Sequence, residues 1–105
     1  MGWKIFELTT ASPTKKITFS GRGSVFAEGD FGGGVIGAYP ISVDVSGAET
    51  VCTNYIDDVI DGSTIKSIDC PSGYYKFELT GSAGATVNLW YNDQRDMPVK
   101  QSDQI

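Results

Sequence analysis

Side chains suited to catalysis or metal binding are few in this chain, and their spacing matches no reactive site. Its 105 residues include no histidine, so a serine or cysteine nucleophile lacks its usual general base. Asp57, Asp58 and Asp61 precede Gly62, but they lack the alternate spacing and the downstream glutamate of a calcium loop. A solvated turn explains these acids better. We therefore expect a protein that is not an enzyme and that uses no cofactor or metal.

Two further features suggest chemistry at first sight. The glycine tract 32-GGG-34 is followed by no Lys-Ser/Thr pair and by no helix, so it does not predict a phosphate loop. We interpret it as backbone that needs positive φ or a close approach. Cys52 and Cys70 are too few for a disulfide scaffold and form no C-x-x-C motif. Both thiols are predicted to be reduced.

The overall composition argues against nucleic-acid and membrane partners. The chain has 13 acidic and 8 basic residues, a formal net charge of −5, whereas phosphate binding needs clustered Lys and Arg. No apolar run reaches the roughly 20 residues that span a bilayer. The start, MGWKIFELTT, also lacks the apolar stretch of a secretory signal. We therefore expect neither a nucleic-acid nor a membrane partner, and no export by the usual route.

The elements that position any functional residue are predicted to be short strands. Apolar residues alternate at 75, 77 and 79, at 87, 89 and 91, and at 41, 43 and 45, and glycine-rich breaks separate these runs. This pattern predicts an all-β fold, a single antiparallel β-sandwich of jelly-roll or immunoglobulin-like type with about eight or nine strands. The predicted strands are 3–8, 16–20, 24–28, 35–38, 41–46, 50–56, 64–69, 74–80 and 86–91.

The same alternation predicts the core and the extent of the domain. The predicted core residues are Ile17, Phe19, Ile41, Val43, Val45, Tyr75, Phe77, Leu79, Val87 and Leu89. The sandwich is expected to span 1–92. Residues 93–105 show no amphipathic pattern and are predicted to be a polar tail that packs on a partner subunit.

Trp90 falls at a strand position that the alternation assigns to the outside. If 74–80 and 86–91 form a hairpin, Lys76 lies opposite Trp90 and Glu78 opposite Asn88, with Tyr74 nearby. Three interpretations stay open. The Lys76 stem covers the indole in a cation–π pair, the aromatic residues contact another protein, or they form a platform for a sugar ring. Contact with another protein is the interpretation that we favour.

The segments 29-GDFGGGVIGAYPISVDVSG-47 and 71-PSGYYKFELTGSAGATVNLWY-91 resemble a small β-sandwich domain of tailed-bacteriophage virion proteins. The matching positions are Gly32, Gly33, Gly34, Pro71, Gly73, Gly81, Gly84, Val87, Asn88 and Trp90. The segment 46-SGAETV-51 departs from the turn that many relatives have there.

This resemblance implies a structural role in a virion made in the host bacterial cytoplasm, as capsid decoration, head fibre, or neck or tail component. The outward Trp90 beside Tyr74 and the open sheet edges of a small β domain predict assembly as a homo-oligomer or with major capsid or tail proteins, and the resemblance favours a trimer. The predicted interface residues are Tyr74, Lys76, Trp90, Met97 and Val99. The alternative function is a carbohydrate-binding, lectin-like module that uses exposed aromatic residues.

Overall fold

The computed structural model describes residues 2–93, in which eight β-strands are separated by turns and irregular segments. None of these residues belongs to a helix long and apolar enough to cross a membrane. The strands are β1 (Lys4–Thr9), β2 (Thr14–Phe19), β3 (Gly23–Asp30), β4 (Val35–Val43), β5 (Glu49–Val51), β6 (Ile68–Cys70), β7 (Gly73–Thr80) and β8 (Thr86–Asp93).

The strands form two antiparallel four-stranded sheets packed face to face. Sheet A has the order β1-β8-β3-β6, and sheet B has the order β2-β7-β4-β5. The pairs β1–β8, β2–β7, β3–β6 and β4–β5 are nested, as if one long hairpin had been wrapped around the core. That is the arrangement of a jelly roll, not of an immunoglobulin domain, whose sheets are ordered differently. The all-β sandwich predicted from the sequence is confirmed.

The predicted hairpin between the last two long strands is wrong. β7 pairs with β2 and β4 in sheet B, whereas β8 pairs with β1 and β3 in sheet A. Lys76 therefore does not lie opposite Trp90, and Glu78 does not lie opposite Asn88. Each of the two strands already has a neighbour on both sides, so neither has a free edge for the other. The segment 81–85 crosses between the sheets.

The glycine tract allows this crossing to pack closely, which agrees with its structural interpretation. Gly32 has a φ of 57°, and a Cβ at this position would collide with the carbonyl oxygen of Ala83. A Cβ on Gly34 would lie 2.6 Å from the carbonyl oxygen of Thr80. The amide of Ala83 also donates to the carbonyl of Gly32. Glycine is needed here because any larger residue would push the turn after β7 away.

Most of the predicted core is confirmed. Eight of the predicted residues are buried: Ile17, Phe19, Ile41, Tyr75, Phe77, Leu79, Val87 and Leu89. Val43 and Val45 are exposed, at 42% and 108%. The Asp44 carboxylate accepts hydrogen bonds from Ser46 and from the amide of Ala48, so the chain turns directly after β4. The prediction missed Leu8, Val25, Ala27, Phe31, Ile36, Ala38, Ile60, Ile68, Cys70 and Ala85, which are also buried.

Strand boundaries differ most around β4. The predicted strands 35–38 and 41–46 form one strand that runs through Pro40. Pro40 lacks a backbone N–H to donate, but its carbonyl still accepts from the amide of Cys52, 2.8 Å away, just beyond the end of β5. After β5 the chain follows β4 irregularly: the amide of Ile56 donates to Ala38, and Ile60 bridges to Ile36. The predicted strand 50–56 is therefore reduced to Glu49–Val51, and the predicted strand 64–69 to Ile68–Cys70.

Asp93, assigned to the tail from the sequence, is the last residue of β8 and is buried. Its carboxylate accepts hydrogen bonds from the amide and hydroxyl of Ser20 and from the amide of Gly21. Asp93 thus fixes the turn between β2 and β3. The rest of the predicted tail, with Met97 and Val99, lies outside the described residues.

Candidate protein-binding surface

The outer face of sheet A carries an apolar row across its three longest strands. Ile5 on β1 pairs with Trp90 on β8, which in turn pairs with Phe26 on β3. Trp90 and Phe26 point outward because their strand neighbours Leu89 and Val25 are fully buried, and Ile5, 53% exposed, is the cross-strand partner of Trp90 on the same face. Trp3 precedes β1 and adds a fourth side chain. We call Trp3, Ile5, Phe26 and Trp90 the aromatic ladder.

The rings of the aromatic ladder pack on one another. Phe26 and Trp90 are stacked, with centroids 5.6 Å apart and an interplanar angle of 8°. Trp3 meets Phe26 at 70° with a centroid distance of 5.0 Å, the edge-to-face arrangement that aromatic quadrupoles favour. Trp3 and Ile5 remain 44% and 53% exposed, and Phe26 and Trp90 are half-buried. The ladder is therefore an ordered apolar surface still partly open to water.

Glu28 fixes the orientation of the Trp90 indole. Its Oε2 accepts hydrogen bonds from the Trp90 Nε1, at 3.3 Å, and from the Asn88 Nδ2, at 3.0 Å. Glu28 and Asn88 are also cross-strand partners, so the sheet register brings them together. The hydrogen bond to Glu28 and the stack on Phe26 together orient the indole.

Acidic side chains predominate around the aromatic ladder, and the exposed Lys4 lies between Trp3 and Ile5 in the chain. The outward positions of the four strands of sheet A carry Glu7, Glu28, Asp30 and Asp69, and none of these positions carries Lys or Arg. Such a face repels acidic surfaces and attracts basic ones. The outer face of sheet A is thus an apolar centre with an acidic rim.

Tyr74 and Lys76 lie elsewhere, on the outer face of sheet B. Tyr74 is 50% exposed, and the Lys76 Nζ lies 3.7 Å from Glu78. The interpretation of Trp90 as covered by the Lys76 stem in a cation–π pair is therefore wrong, because the two residues are on opposite faces of the sandwich. Phe26 covers the indole instead.

Sheet B offers a surface of different character. Tyr39 and Tyr55 meet edge to face, 6.3 Å apart. The Lys16 Nζ lies 2.7 Å from Glu49, so two of the charges on this face already neutralise each other. Compared with sheet A, this surface has tyrosines in place of a tryptophan ladder and carries both signs of charge.

Sequence reasoning placed Trp90 outward correctly but missed Trp3, Ile5 and Phe26. Phe26 lies between Val25 and Ala27, so the alternation in β3 carried the signal that its ring points outward. The register that aligns Phe26 with Trp90 joins positions far apart in the chain. No local pattern contains that information.

Two carboxylates of the acidic turn 57–61, those of Asp58 and Asp61, accept hydrogen bonds from residues that follow it in the chain. Asp58 accepts from Lys66 at 3.0 Å, and Asp61 accepts from the amide and hydroxyl of Ser63. The hydrogen bond from Lys66 lowers the pKa of Asp58, and those from Ser63 lower the pKa of Asp61. Within residues 2–93, no three His, Cys, Asp or Glu side chains gather as metal ligands do.

The fold and this surface define the chain as a small jelly-roll β-sandwich with an aromatic, acid-rimmed outer face. Comparison with protein-family models, curated proteins and solved structures finds no match.

Proposed function

We propose that this protein is a non-enzymatic structural protein of a bacteriophage virion that acts through protein–protein assembly. The observation that carries the proposal is the aromatic ladder on the outer face of sheet A. Tryptophan concentrates binding energy at protein interfaces, above all where a polar rim excludes water. Here a half-buried Trp90 lies at the centre of such a surface, with Glu7, Glu28 and Asn88 beside it.

The virion assignment rests on the sequence resemblance and is compatible with the fold. The turn residues Pro71, Gly73, Gly81 and Gly84 and the outward Trp90 are those that match phage virion domains. Jelly rolls occur in viral capsid proteins, although a fold alone does not define a function. The proposed roles are capsid decoration, head fibre, or neck or tail component, in a virion assembled from proteins made in the host bacterial cytoplasm.

The proposed partners are further copies of the chain, with a trimer preferred by analogy, or a major capsid or tail protein. Trp90 and Tyr74 lie on opposite faces of the sandwich. If both serve in self-assembly and meet each other, the contact joins two different surfaces, and such a head-to-tail contact closes into a ring when its rotation permits. A basic partner surface suits the acidic rim of sheet A.

Carbohydrate binding is the second candidate, and one observation favours it. A carboxylate, an amide and an indole (Glu28, Asn88 and Trp90) lie side by side on the outer face of sheet A, and such groups bind sugar hydroxyls and sugar faces. However, one face of the indole is stacked on Phe26, and Ile5 is its cross-strand neighbour on the other side. This arrangement leaves less ring face for a sugar, so we prefer protein assembly.

The test is to place a charge in the aromatic ladder. Ile5→Lys puts an ammonium group beside Trp90 at a position exposed enough to keep the fold. Thr50→Lys, on exposed β5, is the matched control. We expect Ile5→Lys to lose self-association by light scattering, or co-sedimentation with the phage particle, while Thr50→Lys retains the parent's behaviour. If Ile5→Lys assembles like the parent, the proposal fails, and if the parent binds only glycans on an array, the carbohydrate function replaces it.

A further inference from the structure

Strand β3 is covered on one side and only partly covered on the other. It pairs with β8 along its whole length, 23–30. On its other side it pairs with β6 only at 23–25. Because backbone groups of a strand point alternately to its two sides, alternate residues of 26–30 direct their N–H and C=O groups to an edge where no strand of the described part is paired.

A cleft of about 320 Å³ lies along this edge. It is bounded by residues 27–29 of β3, by Phe31 and by residues 62–65. In the β3–β6 register, Val25 pairs with Ile68, and the continuation of that register would place Glu28 opposite Ile65 and Gly29 opposite Thr64. The cleft therefore opens where β3 and the segment before β6 could have continued to pair but separate instead.

The topology explains this separation. Ile60 is bound to Ile36 of sheet B through two backbone hydrogen bonds of 2.8 and 2.9 Å. Eight residues later Ile68 belongs to sheet A, so the intervening segment must cross from one sheet to the other. Gly62 rests on the Phe31 ring, where a Cβ would lie 2.6 Å from the ring. The loop thus packs on Phe31, and within the described residues it forms no strand pairing with residues 26–30 of β3.

The walls of the cleft combine apolar and acidic groups. Ile65 is 75% exposed at the rim, and Phe31 and Ala27 contribute buried apolar surface. Among the described residues, Glu28 is the one charged residue that lines the cleft, and Asp30 and Asp61 flank the lining residues in the chain. The nearby Lys66 is engaged by Asp58. A ligand of this cleft should therefore carry backbone hydrogen-bonding groups, apolar side chains and positive charge.

We propose that the free edge of β3 binds an extended segment of a partner polypeptide in which basic and apolar residues alternate. The segment adds a strand beside 26–30, so that main-chain hydrogen bonds supply affinity and alternate side chains supply specificity. Its apolar residues contact Phe31 and Ile65, and its basic residues face Glu28 and Asp61. This site adjoins the aromatic ladder, because Phe26 and Glu28 both lie on β3, but it uses the backbone edge of that strand and does not depend on the proposed function.

The probe is a blocked peptide of alternating lysine and valine, titrated into isotope-labelled protein by NMR. We expect shift changes at 26–30 and 62–65, and slower amide exchange at alternate residues of 26–30. Methylation of the peptide's backbone nitrogens should weaken binding about tenfold or more, because strand hydrogen bonds are lost. A glutamate–valine peptide should also bind more weakly. No shift change at millimolar peptide, or equal binding of the methylated peptide, overturns the proposal.

Matched variants locate the site. Thr64→Trp fills the cleft from an exposed loop position and should abolish peptide binding, whereas Thr53→Trp, on an exposed segment outside the cleft, should leave it unchanged. Ile5→Lys disrupts the aromatic ladder two strands away and should not alter peptide binding, so failure of one proposal is distinguishable from failure of the other. If Thr64→Trp binds the peptide as tightly as the parent, strand addition at this edge is wrong.

Discussion

Two buried residues show how single side chains stabilise the ends of strands. Asp93 uses both carboxylate oxygens to bind the turn at Ser20 and Gly21. Tyr75 directs its hydroxyl to the carbonyl of Pro71, 2.6 Å away, and burial raises its pKa. In both cases a polar group lies at the margin of the core with a backbone partner. These contacts fix the turns beside β2 and β7.

Replacement of Asp93 should destabilise the fold measurably. Asp93→Ala leaves the amides of Ser20 and Gly21 without this acceptor, and we expect a loss of about 2–4 kcal/mol in the free energy of unfolding. Asp93→Asn keeps one acceptor oxygen and should lose less. Urea denaturation measures both, with exposed Asp69→Asn as the control. An Asp93→Ala variant as stable as the parent contradicts this role.

The two cysteines should differ in reactivity. Both are free thiols, Cys52 exposed and Cys70 buried, and burial, aided by the charges of Asp69 and Asp57, raises the pKa of Cys70 to about 12. Because the thiolate is the reactive form, iodoacetamide should label Cys52 alone in native protein and both residues after unfolding. Intact mass and peptide mapping check this outcome. Rapid labelling of Cys70 in native protein contradicts it.

At the level of elements, the β4–β5 hairpin depends on the ionised Asp44. Hydrogen bonds from the Ser46 hydroxyl and from the amides of Ala48 and Ser46 lower the pKa of Asp44 below its ordinary 3.8. The stabilisation is therefore fully present above the unfolded-state pKa and is lost as the pH falls through the lower folded-state value. We expect the amide shifts of Ser46 and Ala48 to titrate with a midpoint below 3.8. Asp44→Asn should abolish that titration, whereas a midpoint at or above 3.8 contradicts the turn geometry.

The faces of most strands were predictable from the sequence because they depend on local alternation, although Val43 and Val45, predicted inward, are exposed. Phe77 and Leu89 were placed inward and Trp90 outward on that basis, and the structure agrees. The partners of the strands were not predictable. Adjacent β7 and β8 look like a hairpin, yet each is completed by strands from the first half of the chain. For the same reason the sequence indicated an outward Trp90 but not the Phe26 that stacks on it.

At the scale of the whole molecule, the two outer faces of the sandwich differ in kind. Sheet A presents aromatic rings within an acidic rim, and sheet B presents tyrosines with paired charges. The free edge of β3 adds a third surface with backbone groups to offer. A small domain with three unlike surfaces is suited to hold several neighbours at once, which is what a structural component of a particle requires.

The central claim is that the aromatic ladder is buried by another protein in the assembled particle. Hydroxyl-radical footprinting of free protein and of the particle measures this directly, since Trp3, Phe26 and Trp90 are oxidised in proportion to their exposure. We expect all three to become protected on assembly, while exposed Tyr74 reports separately on the opposite face. If oxidation of Trp3 and Trp90 is the same in the free protein and in the particle, the ladder is not the interface.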